Sequence, residues 1–203
     1  MLGQAAVAMW WDVEPVMKAE FEDWHSHEHM PERLAIPGFL RGTRWIAASG
    51  EPSYFVLYEI DAVATLIAGP YMERLNDPTP WSRKMMPHHR NMVRNLCEVR
   101  ASFGRGVSQA LAKLELEVPA HSLSALPERK GLTAAHLLES RPMAGMAQTV
   151  EQQIRGADAE AKWIVLIGGY DVDAVGTAAR QLAQRAIAGL YRLSYCLTST
   201  DLA

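Results

Sequence analysis

The chain has 203 residues, 49% apolar and 21% charged, the mixture of a protein that buries a core rather than one that stays disordered. Twenty basic against twenty-three acidic side chains leave a net charge of −3 with no long run of either sign, which argues against nucleic acid or an anionic membrane surface as a partner. The opening MLGQAAVAMWWDVEP is apolar, but no basic stretch precedes it and it reaches Asp12 too early for a signal peptide or a membrane span. A cytoplasmic protein is therefore expected, with Cys97 and Cys196 as reduced core thiols.

Residues 5–12 read as a buried first strand. Met17, Phe21 and Trp24 then recur at helical spacing, which predicts a helix from Val16 to His29 with one buried face. Pro31 should end it, because its ring clashes with the preceding turn, and a short second turn over Glu32 to Ala35 follows. Strands are predicted over Phe39 to Ala48 and Tyr54 to Ile60, separated by the turn signal Ser49-Gly50-Glu51-Pro52, and a helix over Ala62 to Leu75. A proline-punctuated loop, Asn76 to His89, leads to a fourth strand at Met92 to Phe103. The remainder repeats this order: strand 111–118, short helix 121–129, strands 132–140 and 163–171, helix 173–188 and strand 190–198, with a loop or marginal helix over 141–161.

Local similarities pair the two halves in the same order. Pro31-Glu32-Arg33 recurs as Pro127-Glu128-Arg129, Tyr54-Phe55-Val56-Leu57 is echoed by Trp163-Ile164-Val165-Leu166, and Asp61-Ala62-Val63 by Asp173-Ala174-Val175. Their separation grows along the chain, as expected of a duplication with insertions in surface loops. The predicted fold class is α+β: two tandem ferredoxin-like βαββαβ repeats, residues 1–104 and 105–203, forming a pseudodimeric α/β barrel. Closure within the chain and closure between two chains of a homodimer both stay open.

Ionisable residues concentrate in FEDWHSHEHMPERLAIPGF, residues 21–39. At about 100° per residue Glu28 falls on the face that carries Phe21 and Trp24, where a carboxylate needs a partner such as His25. His29, at the expected helix end, would have its titration moved toward neutral pH by the helix dipole. A second group, NDPTPWSRKMMPHHR, offers Trp81, Arg83, His88 and His89 on a shaped loop suited to a planar or anionic ligand.

The run WHSHEHMPERLAIPGF, with its His-Met-Pro step and the Pro-Gly before the next strand, resembles the EthD-like branch of the dimeric α/β-barrel superfamily. Within that branch it is similar to tandem two-repeat proteins that also carry a segment like NDPTPWSRKMMPHHR. The likeness covers residues 5 to 104, and the second half only by topology. It implies that His29 borders a pocket between sheet and helices. Families of this fold include cofactor-free monooxygenases, an isomerase, polyketide cyclases and haem-binding enzymes, so the fold alone names no reaction. In the repeat alignment His29 faces Ala125 and Glu28 faces Ser124, so the polar pocket is expected in the first half only.

The resulting expectation is a small-molecule-binding protein or a cofactor-independent enzyme of isomerase, cyclase or monooxygenase type, acting on a small hydrophobic carbonyl compound. His29 is the candidate acid or base, and Glu28 or Glu32 would orient it. Trp24, His25, Arg33, Trp81, Arg83 and His88 are candidate ligand-binding residues, with Arg33, Arg83 or His88 neutralising oxyanion charge. No cofactor and no metal ligand set is expected. One alternative is a non-catalytic binding protein for an apolar metabolite. Another is a metal- or haem-binding protein using His25, His29, Glu28 and Glu32, although the HExxH arrangement is absent.

Overall fold

The computed structural model describes residues 1–141, 147–156, 158–183 and 189–202. Strand β1 (Ala5–Val13) is buried on both faces: Ala6, Ala8 and Trp10 point one way, Ala5, Val7, Trp11 and Val13 the other. A strand of that kind must be covered on both sides. With β2 (Phe39–Ala47), β3 (Tyr54–Ile60), β4 (His89–Gly104), β5 (Ala110–Leu114), β6 (Leu132–Ser140), β7 (Trp163–Gly169) and β8 (Gly189–Thr198) it forms a closed barrel in the order β1-β3-β2-β8-β5-β7-β6-β4. Neighbouring strands are antiparallel throughout.

Residues 1–104 supply the run β4-β1-β3-β2 and residues 105–203 the run β8-β5-β7-β6, the same order when each half is counted from its own first strand. The halves meet at two seams, β2 with β8, where Thr43 faces Cys196, and β4 with β6, where Cys97 faces Ser140. One chain is thus enough to close the barrel. Both cysteines are unbonded, Cys97 buried and Cys196 partly so.

Strand alternation sorts the core into three layers. Ala6, Ala8 and Trp10 fill the barrel interior with Trp45, Phe55, Leu138 and Tyr191, the alanines leaving room for the large rings. Lys113 also lies in the interior, its ammonium 3.8 Å from the centre of the Trp10 ring and 2.7 Å from Glu115. The opposite face of β1, with Phe39, Tyr54 and Tyr58, packs outward under the helices of the first half, and a third layer does the same in the second half.

The helices depart from expectation where proline was read as a terminator. Helix α1 (Lys18–Trp24) runs without interruption through a π-helical turn, His25–His29, into α2 (Met30–Leu34), which contains Pro31. The wider turn, with the Met30 N–H donating to the His25 carbonyl, accommodates a proline that has no N–H and would crowd the carbonyl four residues before it. The helix expected over Ala62 to Leu75 divides into a 3₁₀ turn, Val63–Ile67, and α3 (Gly69–Asn76), because Pro70 suits a first turn.

The segment expected as a loop before β4 is helical: α4 (Pro80–Met85), capped by Thr79, whose Oγ1 accepts from the Ser82 N–H at 3.0 Å, then a 3₁₀ turn, Met86–His88. The short helix expected over 121–129 is two 3₁₀ turns, Ala120–Leu123 and Leu126–Glu128. Inside the 141–161 insert stands α5 (Val150–Arg155), held by a capping box between Thr149 and Gln152. Helix α6 (Val172–Ala183) packs on β5, β7 and β8. The expectations for 184–188 and for 142–146 and 157 lie outside the described residues. No helix among the described residues is long and apolar enough to cross a membrane.

Gly104, where β4 reaches the second half, has φ +85°, and a Cβ there would lie 2.0 Å from the Thr133 carbonyl oxygen. Gly106 has φ +78° with nothing within 4 Å of such a Cβ. Gly106→Ala is expected to cost about 1 kcal/mol of backbone strain and Gly104→Ala at least about 3 kcal/mol, since a clash with backbone adds to the strain. Urea denaturation of the pair checks the difference.

Candidate functional site

The outward face of β1, β3 and β4 and the helices over it line a small, partly open cavity of about 40 Å³. The π turn sets what reaches it. Each residue of a wider turn advances by less than the 100° of an α-helix, so His29 falls back onto the buried face beside Trp24 and Glu28 is carried off it. The His29 ring lies 4.5 Å from the Trp24 ring, centre to centre, tilted by 34°. His25 lies 5.6 Å from His29 and 5.5 Å from Phe21. His89, at the start of β4, sits 5.3 Å from Trp11 and 6.0 Å from Trp24.

Three imidazoles are therefore embedded among Trp11, Phe21 and Trp24, and among the described residues no carboxylate lies within ion-pair distance of them. Both ring nitrogens of His25 and of His89, Nδ1 of His29, Nε1 of Trp11 and the Tyr58 hydroxyl are buried without a hydrogen-bond partner. Burial, reinforced by Arg44 and His89 for His25 and by Arg33 and His25 for His29, holds both well below the ordinary histidine value. Burial likewise pushes His89 down to about 3, with Arg155 adding to it. The three rings are neutral at physiological pH. This overturns the expectation of a dipole-assisted imidazolium at His29: the helix continues to Leu34, so its C-terminal carbonyls are elsewhere, and desolvation dominates.

Charge enters the cavity from two other directions. Arg33, on α2 and only 3% exposed, pairs with Glu151 of α5, and Glu151 lies 3.5 Å from Arg155, which is 2.7 Å from Asp158. Burial alone would lower Arg33, but Glu151, Tyr71 and Glu32 outweigh it and raise its value. The insert of the second half thus supplies part of the wall of a cavity in the first. Arg94, on β4, completes the polar wall and donates to the Tyr71 hydroxyl at 2.6 Å.

Of the residues expected at the site, His29, His25, Trp24 and Arg33 line the cavity together. Glu28 does not pair with His25 or orient His29: its carboxylate accepts from the Trp24 indole at 3.2 Å and from the Thr79 hydroxyl. Glu32 lies between Arg74 at 3.4 Å and Arg33 at 3.9 Å, and burial raises its carboxyl above the usual range. Trp81, Arg83 and His88 face away from the cavity because their segment is a helix and not a loop. Trp81 donates to Glu20 at 3.2 Å, Arg83 to the Pro78 carbonyl at 3.0 Å, and His88 meets Glu14 at 2.6 Å.

His89 is the inward member of the His-His step. Among the described residues, no group of three or more His, Cys, Asp or Glu side chains is arranged to hold a metal ion.

Sequence reasoning passed over Tyr58, Tyr71, Arg94, Glu151 and Arg155. Signals for two were present: Thr149 to Gln152 is a capping box, and it puts Glu151 and Arg155 four apart on one helix face. Nothing local marks Arg94 or Tyr71.

No family model matches the sequence, and no curated protein matches it. Solved structures do. A "putative monooxygenase" of Fusobacterium nucleatum aligns over 98% of this chain and 96% of its own at a TM-score of 0.51 and 9% identity. An "anthrone oxidase-like protein" aligns over 98% and 94% at 0.58 and 8% identity. A "putative monooxygenase" of Lactobacillus acidophilus aligns over 96% of both chains at 0.51 and 7% identity. At such identities the likeness is one of architecture, and this chain shares with these proteins an α+β barrel fold over nearly its whole length.

Proposed function

We propose that the cavity beside His29 binds a small, largely apolar carbonyl compound, and that the protein is a cofactor-independent enzyme in which His29 exchanges a proton with it. The observation that carries this reading is a neutral imidazole, tilted against Trp24, in a partly enclosed aromatic space among unpartnered polar atoms. A neutral ring can accept a proton. The imidazolium so formed would face Arg33 and Arg155 in a dry site, so it is favoured only when an anion forms beside it, which is the outcome of removing a proton next to a carbonyl. An enolate of an aromatic ketone is electron-rich enough to reduce dioxygen, and the monooxygenase and anthrone oxidase-like names of the structural neighbours agree with that direction.

The same reading takes the two halves, 1–104 and 105–203, as diverged copies of one ferredoxin-like unit of EthD-like type, on the ground of their shared strand order. Glu28 and Glu32 take no direct part in it. Glu28 sets the Trp24 indole against which His29 rests, and Glu32 buttresses Arg33.

Anthrone under air is a direct test, since one anthrone and one dioxygen give one anthraquinone and one water. Oxygen uptake matched to quinone formation is expected, and His29→Ala should slow it by about 10²–10⁴-fold with little change in anthrone affinity. Parental turnover in that variant removes His29 from the mechanism. A second reading, a non-catalytic binder, draws on the absence of any side chain hydrogen-bonded to His29 Nδ1. Anthrone that binds without oxygen uptake selects it, and anthrone that neither binds nor reacts overturns both.

A further inference from the structure

The cavity beside His29 adjoins a second, more open space of about 140 Å³ near α5, and Tyr71, Leu75 and Arg94 line both. The arginines at this junction are not all held by a carboxylate in direct contact. Arg33 and Arg155 are matched by Glu151 and Asp158. Glu32 lies against Arg74 and Arg33, and in the outer space Arg141 is taken by Glu98 at 2.6 Å and Glu139 at 3.4 Å. Glu160, on the outer rim, is exposed to solvent. Among the described residues no carboxylate lies within ion-pair distance of Arg94, whose one side-chain partner is the Tyr71 oxygen at 2.6 Å.

We infer that the ligand of this site is a monoanion, an aromatic or apolar carboxylate, whose carboxylate is held by Arg94 and Tyr71 where the two spaces join while its body lies over Trp24 and His29. The inference rests on the reading of the cavity as a small-molecule site and adds the class of molecule.

The chemistry follows from the donor set. Guanidinium geometry suits a carboxylate, and Arg94 uses one Nη on Tyr71, leaving its other N–H groups to give. Tyr71 accepts from Arg94 through its oxygen and so keeps its own O–H to donate. An anion placed between these two donors, one on a strand and one on a helix, would supply the direct counter-charge that Arg94 lacks. A neutral ligand of the same shape would leave that charge partly desolvated and unpaired, which works against it. The aromatic rings beyond, Trp24 above all, take the apolar remainder.

The test compares 2-naphthoate with 2-acetonaphthone, a neutral carbonyl compound of nearly the same shape, by titration calorimetry at neutral pH on the full chain. The anion is expected to bind about tenfold to a hundredfold more tightly, as a charge-assisted hydrogen bond makes possible. Arg94→Met should erase that preference, weakening 2-naphthoate without weakening 2-acetonaphthone, Arg94→Lys should restore part of it, and Tyr71→Phe should reduce it. Circular dichroism and retained ketone binding show that the variants are folded. Equal affinity for the two probes in the parent protein, or a preference that survives Arg94→Met, overturns the anion site and leaves the carbonyl-binding reading standing. Failure of both probes to bind overturns both.

Discussion

Glu151→Ala is expected to lower the free energy of unfolding by about 3 kcal/mol, because it leaves the buried Arg33 guanidinium with only the more distant Glu32, at 3.9 Å, as a counter-charge. The pair itself is not what stabilises the fold. Taking both ions out of water costs several kcal/mol that their attraction largely repays, whereas removing one partner leaves the cost of the other uncompensated. The double variant Arg33→Met, Glu151→Leu should therefore recover most of the loss. Because α5 is short, the single variant can also find relief by undocking that helix, which caps the loss and appears as faster amide exchange at Thr149–Arg155. A loss below about 1 kcal/mol, the size of a solvated surface pair, would mean that Arg33 and Glu151 meet in water.

Acid should unfold this protein early. The unfolded chain takes up protons on His25, His29 and His89 near the ordinary value of about 6.5, while burial keeps all three below it in the folded state. Between the two values the unfolded chain binds more protons, so their contribution is complete above about pH 6.5 and is lost as the pH falls. Each can remove up to about 1.4 kcal/mol per pH unit, about 4 kcal/mol per unit for the three, against a total stability of about 5–15 kcal/mol for a typical domain.

His136, which burial pushes to about 3, acts in the same direction, and Glu32, whose carboxyl is raised by burial, acts in the other. Urea midpoints taken between about pH 7 and pH 5 should fall steeply, and His89→Asn should flatten the slope by roughly a third. A flat profile would mean that the imidazoles find water or counter-charges, and the neutral cluster would have to be abandoned.

The histidines show how far a sequence can be read at such a site. The segment dense in ionisable groups around residue 29 is one from which Trp24, His25, His29 and Arg33 line a single cavity. The role of Glu28 was not legible, since it depends on whether the helix keeps its regular 100° step, and one wider turn shifts the phase of everything after it. His88 and His89 show the same limit in another form: strand β4 begins at His89 and turns that ring inward, while His88 ends the preceding turn and pairs with Glu14. The reading of 76–89 as a loop gave too much weight to proline as a breaker, although Thr79-Pro80 is itself a helix-start signal.

The sequence by itself determined the order of the eight strands, the span of β3 and the burial of β1, because those follow from side-chain pattern over a few residues. Only the tertiary structure decided that the barrel closes within one chain, that Glu151 meets Arg33 from 118 positions away, and that three histidines are neutral. The reason is range: register and closure bring together groups that share no local pattern, and desolvation, which sets their charge, is a property of the space they enclose and not of their neighbours in the chain.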